Sequence, residues 1–153
     1  MSLMLHVVLV EPEIPPNTGN IARLCVAAGA CLHLVEPLGF SLDDKLLRRA
    51  GMDYWSKCDV RLWPTFRDLR LKSGAARFFL LTKKRGRPYW DERFKDDDYL
   101  VFGRETKGLP ESLLERNASN CLTIPMREEA RSLNLATAAG IVLYEAVRQL
   151  RIL

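Results

Sequence analysis

Three clusters late in the chain combine glycine, one acid and small polar residues at short spacing. They are Phe102-Gly103-Arg104-Glu105-Thr106-Lys107-Gly108-Leu109-Pro110, Ile124-Pro125-Met126 and Ser132-Leu133-Asn134. An earlier cluster, Asn17-Thr18-Gly19-Asn20-Ile21-Ala22-Arg23, adds amides and a guanidinium. Such residues suit a ligand site lined by main chain. Glycine lets backbone turn sharply and approach a ligand, and asparagine offers both donor and acceptor. Other chemistries are poorly supplied. The only histidines are His6 and His33, and Cys25, Cys31, Cys58 and Cys121 form no CxxC pair, so the cysteines read as reduced, buried thiols and no metal is expected. The turn after the first apolar run, EPEIPPNTGN, holds one glycine where a GxGxxG fingerprint needs three. GxxxxGK[ST], GxSxG and HExxH are absent from the sequence.

These clusters need elements to position them. Leu5 to Val10 is a continuous apolar, β-branched run, which predicts a buried parallel strand. Glu11 to Pro16 is expected to be loop, because three prolines leave no regular ladder. Asn17 or Thr18 is expected to cap a helix that runs to Ala28 and stops at Gly29, with Ile21, Leu24, Cys25 and Ala28 on its buried face. Arg23 then points off that face. Further strands are predicted at Cys31 to Val35, Val60 to Trp63, Arg77 to Thr82, Tyr99 to Phe102 and Leu122 to Ile124. Helices are predicted at Asp43 to Ala50 (stopped by Gly51), Thr65 to Lys72, Pro110 to Arg116 and Leu133 to Leu150. Pro110 is placed at the first helical position, where its missing N–H costs nothing. Alternating strands and helices make the class α/β, a mostly parallel sheet flanked by helices. Leu81-Thr82, Gly103-Arg104-Glu105 and Ile124-Pro125-Met126 fall at the carboxyl ends of strands, where open parallel sheets bind ligands.

Composition sets mild bounds. A chain of 153 residues, 48% apolar and 27% charged, fits one domain spanning 1–153. No apolar run reaches the roughly 18 residues of a membrane span, and Met1 to Val10 lacks the features of a signal peptide, so a cytoplasmic protein with no membrane partner is expected. The net charge of +4 permits an anionic partner without demanding one.

Taken together, Asn17 to Arg23, Phe102-Gly103-x-Glu105-Thr106-x-Gly108-Leu109-Pro110 and Ile124-Pro125-Met126 with Ser132-Leu133-Asn134-Leu135 resemble the motifs of the SPOUT-superfamily RNA methyltransferases, in their 2'-O-methylating branch. The resemblance covers nearly the whole chain. The EPEIPPNTGN opening and the LRRAGMDYW segment (Leu47 to Trp55) resemble the branch that acts on the bacterial tRNA wobble nucleotide. Arg104 and Lys107 fill positions that vary among relatives, and Ala136 stands where serine is common.

The resemblance implies an α/β sheet with a C-terminal deep trefoil knot, S-adenosylmethionine as cofactor, and a homodimer with shared active sites. The expected activity is methylation of the ribose 2'-hydroxyl of nucleotide 34, with the tRNA anticodon stem-loop as partner. Related alternatives are the same chemistry at another tRNA or rRNA nucleotide, or a knotted RNA-binding dimer without catalysis. Leu81, Gly103, Ile124 and Ser132 match cofactor-binding positions. Arg23, Glu105, Asn134 and Asn17 match the catalytic group. Arg23 corresponds to a proposed base, but a guanidinium keeps its proton, so a fixed cation beside the reacting oxygen is the physical reading. Glu105 is expected to pair with Arg23 or Asn17; Asn134 and Ser132 also suit helix caps. The run Lys83, Lys84, Arg85 and Arg87 is either a solvated loop or a contact for RNA backbone. Tyr54, Trp55 and Trp90 are either stacking platforms for unpaired bases or buried packing.

Overall fold

Strands made of unbroken apolar runs need cover on both faces, and this chain supplies it. The computed structural model describes residues 2–153, the side chains of Met52 and Asp53 aside. Seven strands form one sheet: β1 His6–Val10, β2 Cys31–Val35, β3 Val60–Trp63, β4 Phe78–Leu81, β5 Arg87–Pro88, β6 Tyr99–Phe102 and β7 Cys121–Thr123. Their order is β3-β2-β1-β6-β4-β7-β5, and every pairing is parallel. Helices α1 Pro15–Ala28 and α5 Leu135–Leu150 cover one face, where Ile21, Cys25, Ala139 and Leu143 pack on Leu9, Leu34 and Leu100. Helices α3 Phe66–Lys72 and α4 Glu111–Arg116 cover the other, with Leu69 and Leu114 against Val8, Leu80 and Val101. Helix α2, Lys45–Gly51, packs on α1.

The chain leaves β1 toward β2 and β3, then crosses to build β4 to β7 on the other side of β1. That reversal seats β1 beside β6, with Leu9 opposite Phe102. The loops after these two strands, 91–93 residues apart in sequence, therefore meet. Parallel sheets form their ligand crevice at such a switch point.

Several boundaries differ from the sequence reading. Helix α1 begins at Pro15, not at Asn17 or Thr18. Pro15 and Pro16 fit its first turn because that turn's N–H groups have no helical partner, and the Asn17 side chain is spent elsewhere. Helix α2 begins at Lys45 rather than Asp43 and ends at Gly51, which keeps an ordinary helical φ of −75 as the chain passes into a 3-10 turn over Met52–Lys57. Pro110 is the residue before α4, at ψ 140, rather than its first member. The last helix starts at Leu135, and its cap is Asn134 rather than Ser132. Arg87–Pro88, expected as loop, pairs briefly with β7. The last strand ends at Thr123, leaving Ile124 to its following loop. The cysteines are free thiols; Cys25, Cys31 and Cys121 are buried, and Cys58 is half-buried. Among the described residues, no helix is long and apolar enough to cross a membrane.

Candidate functional site

The carboxyl ends of β4, β6 and β7 open into a cleft of about 480 Å³, a size usual for small-molecule sites. Its walls are the loops that carry the sequence motifs. Leu81, Gly103, Ile124 and Ser132 all line it, as do Asn17, Glu105 and Asn134. Leu81 and Gly103 are buried, Ile124 is half-buried and Ser132 is exposed.

The loop after β6 folds back on itself. Arg104 and Gly108 exchange backbone hydrogen bonds, at 3.3 and 2.9 Å. Gly108 turns the chain at φ +68, and a Cβ on Gly103 would lie 2.2 Å from the Gly108 carbonyl carbon. Gly103 is thus required first by the loop's own return, before any ligand approaches. This tight turn aims Glu105 across at the loop after β1.

Glu105 receives hydrogen bonds from the Glu13 and Ile14 backbone N–H groups, at 2.8 and 2.9 Å, and from Asn17 Nδ2 at 3.3 Å. Of its two expected partners, Asn17 is the one seated against it. Asn17 Oδ1 in turn accepts from Asn134 Nδ2 at 3.0 Å. Asn134 Oδ1 caps α5 by accepting from Ala136 and Thr137 N–H, at 2.8 and 3.3 Å. The proton inventory fixes both amides. Asn134 must turn oxygen to the helix, so it donates to Asn17, which then turns its NH₂ to the carboxylate. One chain of bonds joins residues 17, 105 and 134, one from each motif.

Two further pairs lock the same loops. Arg104 Nη2 donates to Glu11 Oε1 at 2.6 Å. Thr106 donates through its hydroxyl and its N–H to Glu13 Oε1, at 2.8 and 3.1 Å. Those bonds hold the Glu13 carboxyl below the usual carboxylate range. Sequence reasoning missed Glu11, Glu13 and Thr106, and gave Arg104 only a variable position. The available signal was two acids in a proline-rich loop facing a basic, hydroxyl-bearing one.

Arg23 lies apart. It is exposed on α1, is not among the residues lining its own chain's cleft, and sets its guanidinium over the Tyr54 ring at 5.4 Å. The basic loop is largely engaged within the chain. Lys83 Nζ donates to the Arg131 carbonyl at 3.0 Å, Lys84 and Arg85 pair with Glu111, and Arg87 pairs with Glu92. Trp90 is exposed, whereas Tyr54 and Trp55 are half-buried.

A second polar cluster crosses one face of the sheet, from His6 at the start of β1 through His33 in the middle of β2 to Trp63 at the end of β3. Trp63 Nε1 donates to His33 Nδ1 at 3.0 Å, His33 Nε2 meets His6 Nδ1 at 2.9 Å, and His6 Nε2 meets Asp97 at 2.7 Å. Because Trp63 can only donate, His33 must carry its proton on Nε2, and His6 must carry its own toward Asp97. Burial pushes the His33 pKa down to about 3 and lowers that of His6. His6, Cys31 and His33 have ligand atoms within 4.8 Å of one another. A metal on His33 Nε2 would nevertheless need a proton on Nδ1, facing the Trp63 N–H. As placed, Trp63, His33, His6 and Asp97 form one hydrogen-bonded row.

A cleft at the carboxyl ends of a parallel sheet, walled by three motif loops, is the ligand-site arrangement of α/β proteins. The SpoU rRNA Methylase family model matches residues 4–144, and the chain belongs to that family. The tRNA (cytidine(34)-2'-O)-methyltransferase of Escherichia coli strain K12 is 48% identical over 148 residues, covering 96% of this chain and 94% of that protein. A solved structure described as giving insights into 2-OH methylation of C/U34 on tRNA superposes with a TM-score of 0.93 at 47% identity, covering 97% of each chain. The SpoU methyltransferase AviRb from Streptomyces viridochromogenes, solved with AdoMet, superposes with a TM-score of 0.86 at 27% identity over 99% of this chain and 62% of its own.

Proposed function

We propose that this chain methylates the ribose 2'-hydroxyl of the wobble nucleotide, position 34, of tRNA, using S-adenosylmethionine. The observation that carries this reading is the hydrogen-bond chain Glu105–Asn17–Asn134, which closes the three motif loops around one cleft. Near-full-length similarity to a cytidine-34 2'-O-methyltransferase supports the nucleotide assignment.

The cleft suits the cofactor. Its volume of about 480 Å³ is adequate, and its walls combine the main chain of three loops with apolar Leu81, Ile124, Met126 and Leu135. Leu81, Gly103, Ile124 and Ser132 hold the cofactor there. Bound S-adenosylmethionine supplies an electrophilic methyl group whose leaving thioether is neutral, so positioning is the main demand on the protein.

Glu105 and the two asparagines keep the loops in register, and their remaining polar capacity faces the ribose. Arg23 acts as a fixed cation. It binds the phosphate beside the reacting ribose and lowers the pKa of the 2'-hydroxyl, and the proton leaves to phosphate or water. Its absence from its own chain's cleft supports a homodimer in which Arg23 reaches the site of the second copy. The segment after β7, fastened beside β4 by Lys83, and the return of α5 onto α1 support the reading of a C-terminal trefoil knot. A cytoplasmic setting follows from a tRNA substrate.

The test is transfer of labelled methyl from S-adenosylmethionine to total tRNA from a strain lacking the enzyme, followed by mapping. Label at the ribose of nucleotide 34 is expected. Label elsewhere, or none despite cofactor binding, overturns the assignment.

A further inference from the structure

The segment Lys45–Lys57 is basic, with four cations against one acid, a net +3. Its position is set by glycine. A Cβ on Gly19 would fall 2.3 Å from the Leu47 carbonyl oxygen, and Gly51 faces Gly19 in turn. This crossing presses α2 and the following 3-10 turn onto α1, the helix bearing Arg23. Tyr54 consequently has two cations close to its ring, Arg23 at 5.4 Å and Lys57 at 5.9 Å from the ring centre, and Arg48 covers Trp55 at 5.2 Å.

The acids just before α2 are committed locally. Asp44 receives the Leu46 and Leu47 N–H groups, and Asp43 approaches Arg48 at 3.9 Å. Among the described residues, no ion pair forms at Lys45, Arg49 or Lys57, and all three are exposed. The largely exposed basic loop after β4 differs in that its cations have partners in the chain, at Glu111, Glu92 and the Arg131 carbonyl. The helix dipole accounts for a cation near the end of α2, but not for Lys57 or the aromatic pair beyond it.

We infer that Lys45–Lys57 is the surface that receives the RNA. Arg49 and Lys57 meet backbone phosphates, and Tyr54 offers a ring face to an unpaired base next to Arg23. Phosphates supply affinity and register, and a stacked base suits a single-stranded loop. The inference rests on the RNA substrate proposed above.

The test is binding of a synthetic anticodon stem-loop across a salt series, with cofactor affinity measured in parallel. Arg49→Ala combined with Lys57→Ala should flatten the log-affinity versus log-salt slope by about two, and Arg49→Lys should keep the wild-type slope. Tyr54→Ala should weaken binding about tenfold and Tyr54→Phe should not. Cofactor affinity should stay unchanged in each. A wild-type slope in the double alanine variant, or equal losses in Arg49→Lys and Arg49→Ala, overturns this surface even where the wild-type enzyme methylates tRNA. A wild-type protein that binds no stem-loop overturns both this surface and the proposed function.

Discussion

One sheet carries two polar chains of similar size, one at its carboxyl ends beside a cleft and one laid across the face that α3 and α4 cover. At the carboxyl ends, Glu105, Asn17 and Asn134 fix three loops around a cleft of about 480 Å³. Across that face, Trp63 at the end of β3, His33 in the middle of β2, His6 at the start of β1 and the exposed Asp97 are hydrogen-bonded in a row. The histidines look more like chemistry than asparagines do. Yet a network whose protons are all allotted can only hold strands together, whereas one that leaves backbone and amide groups facing a cleft can hold a substrate. Unspent polar capacity beside a void, rather than residue type, marks the functional end.

That contrast can be broken in order of effect. Arg23→Ala should cost about 10²–10³-fold in turnover with cofactor affinity near wild type, measured by transfer assay and calorimetry. Lost cofactor binding would instead make Arg23 structural. Glu105→Ala leaves the Glu13 and Ile14 N–H groups without their partner, and denaturant unfolding should show a loss of about 1–3 kcal/mol together with weakened cofactor binding. Gly108→Ala must place a side chain at φ +68 and should cost about 1–2 kcal/mol. Gly103→Ala should weaken cofactor binding more than Gly108→Ala, because its Cβ meets backbone 2.2 Å away.

The smallest effect on activity belongs to the histidine row. His33 falls from an ordinary value of 6.5 to about 3 on folding. Between those values the unfolded chain binds more protons, so stability is full above pH 6.5 and declines as pH falls toward 3. His33→Gln should flatten that slope in denaturant titrations while leaving methyl transfer at neutral pH intact.

The sequence makes the local features readable. Unbroken apolar runs such as CLHLV at 31–35 announce strands, and the motif glycines announce tight loops. Features that depend on strand order are not readable in this way. Glu11 with Arg104, and Glu13 with Thr106, meet only because β1 lies beside β6. The His6–His33 contact likewise follows from the pairing of β1 with β2, not from any ligand spacing. Gly51 ends α2 but adopts ordinary helical φ, its lack of a side chain serving the crossing with Gly19. The basic run at 83–87 is largely exposed, and only the fold shows that its cations have partners at Glu111, Glu92 and the Arg131 carbonyl.

The most direct measurement compares two anticodon stem-loops that differ by one oxygen, a ribose and a 2'-deoxyribose at nucleotide 34. Labelled methyl should pass from S-adenosylmethionine to the first and not to the second. Equal labelling of both would place the chemistry on another group and contradict the account.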